Sequence, residues 1–137
     1  MPSPEHPRPA PFQYAMVRVV PQIERGECVN AGVVLFCRPR RFLAARIALD
    51  EARVLALAPD ADLEAIRHHL DAFARIAAGE PAAGPIAALP ASERFHWLVA
   101  PSSTVIQCSP VHTGLSADPR AELERLTDRL VGRVPRR

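Results

Sequence analysis

Two polar clusters in the chain hold the residue types that chemistry needs. The first is Glu24-Arg25-Gly26-Glu27-Cys28-Val29-Asn30. Its carboxylates, Glu24 and Glu27, stand three residues apart, which suits general acid–base work. The same spacing suits a turn anchored through backbone N–H groups. Arg25 adds a cation, and Asn30 falls inside an apolar run where its amide needs partners. The second cluster is Ser102-Ser103-Thr104 with Gln107. Hydroxyls and backbone N–H groups in a turn can hold a phosphate or carboxylate. No acid or base adjoins Ser102 or Ser103 in sequence. A nucleophilic serine would therefore need His112 brought to it by the fold. His112 itself sits in Pro110-Val111-His112-Thr113-Gly114, an irregular stretch after a strand, where functional groups often lie.

Arg18 interrupts an apolar strand, and a guanidinium there needs a carboxylate or an anion. A salt bridge to Glu24 or Glu27 and a bound anion both satisfy it. Arg38, Arg40 and Arg41 make a basic loop that suits phosphates or a solvated hairpin tip. It has no interleaved aromatics, which argues against a stacking platform for single strands. His68 and His69 are adjacent on a helix, point different ways and cannot grip one metal together; they read as a solvated pair.

Several chemistries are excluded outright. The 137 residues contain no lysine, so there is neither a Schiff-base nor a P-loop lysine. The sequence holds no H-E-x-x-H, G-x-S-x-G or G-x-G-x-x-G pattern. Three cysteines, Cys28, Cys37 and Cys108, lack C-x-x-C spacing and read as reduced core thiols rather than a metal site. No cofactor and no metal is called for. A formal charge of +2 leaves no strong footprint for nucleic acid. No run of eighteen apolar residues is present, so no membrane partner is expected.

The elements that must position these residues follow from periodicity. Phe12–Val20, apolar on both faces, predicts a central strand ended by Pro21. Val29–Cys37 and Phe42–Leu49 predict two more, joined by short turns as an antiparallel meander. Leu63, Ile66, Leu70, Phe73 and Ala77 form one stripe of a helix over Asp60–Ala78, capped by Asp60 and stopped by Gly79. Phe95–Ala100 is ambiguous and reads as a strand; Thr104–Ser109 reads as another. Asp118-Pro119 opens a last helix with Leu123, Leu126 and Leu130 buried. The expected fold class is α+β: a mainly antiparallel sheet of about five strands, in the chain order βββ-α-ββ-α, with two helices packed on one face. Residues 1–11, rich in proline and without an apolar h-region, read as a disordered lead, and 12–134 as one domain.

Taken together these stretches are similar to a known family. Tyr14-x-x-x-Arg18-x-Val20-Pro21 followed by Glu24-Arg25-Gly26-Glu27-x-Val29-Asn30-x-Gly32-Val33 resembles the opening signature of the bacterial "domain of unknown function 3037" family. The late stretch Phe95-x-Trp97-Leu98-x-Ala100-Pro101, then Ser103-Thr104-Val105-Ile106-Gln107 and Pro110-Val111-His112-Thr113-Gly114-Leu115, resembles it too. The resemblance implies a stand-alone cytoplasmic bacterial protein encoded beside HipA-like kinases, and hence a HipA-like kinase as partner. It carries over no catalytic residue. Relatives have an aromatic where this chain has Cys28, which implies a packing role there. The recurrent polar positions coincide with those picked out above: Arg18, Glu24, Arg25, Glu27, Asn30, Ser103, Gln107 and His112.

Three functions compete. An accessory or regulatory protein would expose an apolar patch near Phe95 and Trp97. A small enzyme or binder of a phosphorylated or anionic ligand would clamp it with Arg18 and Arg25. It would take Glu24 or Glu27 as base and orient the ligand with Ser103, Thr104, Gln107 and His112. A nucleic-acid binder would use Arg38, Arg40 and Arg41. The first is preferred, and whether the chain is an enzyme stays open.

Overall fold

Alternation dictates the centre of the molecule. In the computed structural model, which describes residues 8–132, β1 runs from Ala10 to Val19. Ala15, Val17 and Val19 point to one face and Phe12, Tyr14 and Met16 to the other, as the two-residue period requires. β2 (Val29–Cys37) and β3 (Phe42–Ile47) follow as antiparallel neighbours. β4 (Ile106–Cys108) and β5 (His112–Ser116) both line the other side of β1. The sheet is open and five-stranded, in the order β3-β2-β1-β4, with β5 beside β1 as well.

Helices cover both faces. On one face α2 (Leu63–Ala78) and α3 (Ala91–Val99) pack against Ala15, Val17, Val19, Val34 and Phe36. Phe95 of α3 is fully buried there, its ring 5.3 Å from that of Phe36. The short α1 (Glu51–Leu57) adds Val54 to the same core. On the opposite face α4 (Pro119–Leu130) lays Leu123 and Leu126 over Val33, Leu35 and Cys37. Burying each such leucine contributes about 1.5–3 kcal/mol. Asp50, Asp62 and Asp118 cap α1, α2 and α4 by accepting a bond from a backbone N–H in the first turn.

The α+β class and the antiparallel five-stranded sheet agree with the sequence reading, and four differences are informative. Among the described residues there are four α-helices, and they occupy both faces, because β2 is apolar on each side and needs two covers. Phe95–Val99 belongs to a helix rather than a strand, with Ala100 as its extended cap: Ala91, Phe95 and Leu98 recur at helical spacing and turn together into the core. The fifth strand is instead His112–Ser116, in a stretch that reads as irregular. It forms because Gly114 lies opposite Phe12, whose ring fills the place of a side chain; a Cβ there would come within 2.6 Å of Phe12 Cζ. Finally, β1 begins at Ala10, inside the expected lead, and Ala10 is buried there. Residues 1–7 of that lead, and 133 and 134 at the end of the expected domain, fall outside the described residues.

β4 and β5 act as one edge strand with a bulge. Cys108 opposes Val17 and His112 opposes Tyr14, so three residues (109–111) face two (15 and 16). Pro110, without an N–H, sits in the bulge. Buried Ser109 repairs the ladder: Met16 N–H donates to Ser109 Oγ at 2.9 Å, and Ser109 N–H donates to Met16 O at 2.9 Å.

Candidate functional site

The register of β1 decides which polar residues meet. Arg18 lies directly opposite Asn30 on one side and Gln107 on the other. Paired residues share a face, so one cation and two amides stand side by side on the α4 face. Arg18 Nε donates to Asn30 Oδ1 at 3.3 Å, and Asn30 Nδ2 donates to Leu130 O at 3.1 Å. The guanidinium is therefore held one side chain away from the carboxyl end of α4, where positive charge is favourable. The expected salt bridge from Arg18 to Glu24 or Glu27 does not form. Glu27 is taken by Arg25, whose Nε lies 2.6 Å from its Oε1, in an exposed turn beyond the end of β1. Glu24 is exposed in the same turn. Farther along the face, the exposed His112 ring lies 5.4 Å from that of Tyr14.

The second polar cluster is a turn that satisfies itself. Thr104 Oγ1 donates to Ile106 O, Thr104 N–H donates to Ser102 Oγ, and Gln107 Nε2 donates to Thr104 O. Ser102, not Ser103, does the local bonding; Ser103 is exposed. Val20 N–H donates to Val105 O at 2.7 Å, which brings this turn to the same end of the sheet as the Glu24–Glu27 turn. His112 is not at that end. It pairs with Tyr14, six residues from Val20 along an extended strand, or roughly 20 Å. A Ser103–His112 catalytic pair is thereby excluded. Arg38, Arg40 and Arg41 lie exposed in the turn between β2 and β3, at the far end from both clusters.

On the α2–α3 face the structure opens a groove that the sequence reading missed. A cavity of about 610 Å³ lies between α2, the end of α3 and β4. Phe73, Ile76, Leu98 and Ile106 make its apolar surface, and Trp97 lines it while remaining 51% exposed. His68, His69, Ser102 and Thr104 supply its polar side chains, and Gln107 borders it where β4 begins to pair with β1. The signal was present in α2: Ala72 and Ile76 widen the apolar face beyond the single stripe that core packing needs. The patch expected around Phe95 and Trp97 thus resolves into two roles, since Phe95 is core and Trp97 is surface.

Cys108 also borders the groove, and its Sγ donates to Leu98 O at 3.4 Å. Burial pushes its thiol up to about 12, against the opposing charge of Arg18. It is a poor nucleophile at neutral pH, because the thiolate is the reactive form. Cys37 is buried, with Sγ donating to Pro11 O. Cys28 is exposed, contrary to the packing role that the resemblance implies. Among the described residues no group of three or more His, Cys, Asp or Glu is placed to hold a metal ion, and no helix is long and apolar enough to cross a membrane.

The family model described as "protein of unknown function (DUF3037)" matches residues 14–131. The chain belongs to the DUF3037 family. No curated protein and no solved structure matches it. The segment matched to DUF3037 holds both the Arg18–Asn30–Gln107 row and every residue of the groove.

Proposed function

We propose that the protein is a cytoplasmic accessory protein that binds another protein by seating an apolar segment of it in the groove between α2 and β4. The observation that carries this reading is Trp97, half exposed beside an apolar cavity. Tryptophan is enriched among residues that dominate binding energy, and it does so where a neighbouring pocket lets the partner exclude water. The lining also selects the occupant. Among the described residues its lining holds no carboxylate, so a basic side chain would enter unpaired, whereas an apolar one loses only its hydration shell. The hydroxyls of Ser102 and Thr104 border the groove, where the backbone of such a segment would pass. Three free cysteines, one of them exposed, suit a reducing compartment.

A HipA-like kinase is the first partner to test. The experiment titrates the purified chain with the purified kinase. It reads the emission of Trp97, the only tryptophan in the sequence. Filling the groove dries Trp97 and moves its emission to the blue. Saturating complex formation with no change in emission would refute the groove as the binding surface.

A further inference from the structure

The two edges of the sheet are built differently. β3, one edge, carries exposed Arg46 and follows the Arg38–Arg41 turn; such charges discourage pairing with another chain. β5, on the other edge, carries no such protection. From Ser109 to Ala117 the chain has no Asp, Glu, Lys or Arg. It exposes Leu115 at 70% and Val111 at 38%.

The backbone of that edge is also open. Met16 exchanges its N–H and C=O bonds with Ser109, so the even-numbered residues of β1 turn toward the β4–β5 side. Their partners in β5 are His112, Gly114 and Ser116. By antiparallel alternation Thr113 and Leu115 then direct their N–H and C=O groups outward, away from β1. Among the described residues no strand pairs with that side of β5.

We infer that β5 is the docking edge for a second copy of this chain, pairing antiparallel with its twin about a twofold axis near Gly114. A strand meeting itself is self-complementary only if it puts no like charges opposite one another. β5 meets that condition in every register, whereas β3 fails it where Arg46 meets Arg46 or Arg41 of the other copy. In this register Thr113 pairs with Leu115 of the other copy, so both outward donors and both outward acceptors are satisfied. Leu115 falls diagonal to Val111 and Leu115 of the other copy, which removes the most exposed large apolar side chain from water. His112 falls opposite Ser116, a pair able to hydrogen-bond. Two five-residue strands make a small interface, so the dimer dissociates on dilution. This inference does not depend on what fills the groove.

The test is sedimentation velocity of the full chain over a wide concentration range, with Leu115→Lys and, as an apolar surface control, Ile23→Lys. Ile23 is exposed in the β1–β2 turn. The weight-average mass of the wild type is expected to rise from monomer toward dimer. Leu115→Lys is expected to raise the dissociation constant at least about ten-fold, while Ile23→Lys follows the wild type. Hydrogen exchange at Thr113 and Leu115 should slow as concentration rises. A wild type that stays monomeric throughout overturns the inference; that is also the result if β5 serves a strand of an unlike protein. Self-association untouched by Leu115→Lys, or exchange at Thr113 and Leu115 independent of concentration, overturns it equally.

Discussion

Replacing Ser109 with alanine removes one oxygen and leaves a donor stranded at the centre of the sheet. Ser109 is 3% exposed, and its Oγ accepts the Met16 N–H at 2.9 Å while donating to Pro110 O at 2.9 Å. The bulge at Ser109–Val111 puts no carbonyl in its place. Losing an ordinary intramolecular hydrogen bond costs about 1 kcal/mol, and leaving a buried N–H unsatisfied costs about 1–3 kcal/mol. The combined expectation is a loss of about 2 kcal/mol. For a urea slope of about 2 kcal/mol/M, the unfolding midpoint falls by about 1 M with the slope unchanged. Ser103→Ala is the control, because Ser103 is exposed and should change stability by less than about 0.5 kcal/mol. The assay is equilibrium urea unfolding followed by far-UV circular dichroism. If Ser109→Ala and Ser103→Ala have the same midpoint, Ser109 does not hold β4 and β5 to β1, and the account of the edge is wrong.

Two other perturbations test the core. Cys108 holds its proton more tightly folded than unfolded, with its thiol raised from 9.0 to about 12. Its contribution to stability is therefore complete below about pH 9 and is lost as pH rises toward 12, at up to about 1.4 kcal/mol per pH unit. Unfolding free energies of the wild type and Cys108→Ala, compared between about pH 8 and about pH 11, should converge as pH rises; parallel profiles would show that this thiol is not held neutral. Gly32→Ala places a Cβ 2.6 Å from the backbone oxygen of Arg46 and 2.8 Å from Ile47 Cδ1. Neither β2 nor β3 can yield easily there, so a loss of about 1–3 kcal/mol is expected, read as a fall in Tm of about 3–10 °C; an unchanged Tm would mean that the strands part without cost.

Local pattern made much of the fold legible. The strands up to β3 declared themselves by apolar runs between Pro21, Gly26 and Pro39, and α4 by Asp118-Pro119. α2 was legible in its stripe, though its cap is Asp62 rather than Asp60. The failures share a cause. α3 and β5 are short, and the residues that decide them are remote in sequence: Phe36 for Phe95, and Phe12 for Gly114. A nine-residue apolar helix and a short apolar strand look alike until a partner ring is in place. The site followed the same rule. Arg18, Asn30 and Gln107 stood out as polar residues within apolar strands, and the sheet register joins them. The groove did not stand out, since Phe73 read as core, His68 and His69 as solvated, and Trp97 only as part of an exposed patch with Phe95. A cavity is a property of three elements at once, and no single stretch of sequence carries it.

The central claim is that a partner protein occupies the groove at Trp97. The most direct measurement is the affinity of one purified partner for the wild type and for Trp97→Ala, with Trp97 emission recorded in the wild-type complex. Trp97 is half exposed, so the variant keeps its core and any loss belongs to the surface. The expected result is a blue-shifted emission on binding and an affinity at least about 30-fold weaker in the variant, as for a residue worth about 2 kcal/mol at an interface. Equal affinities, with emission unmoved in the complex, would contradict the account.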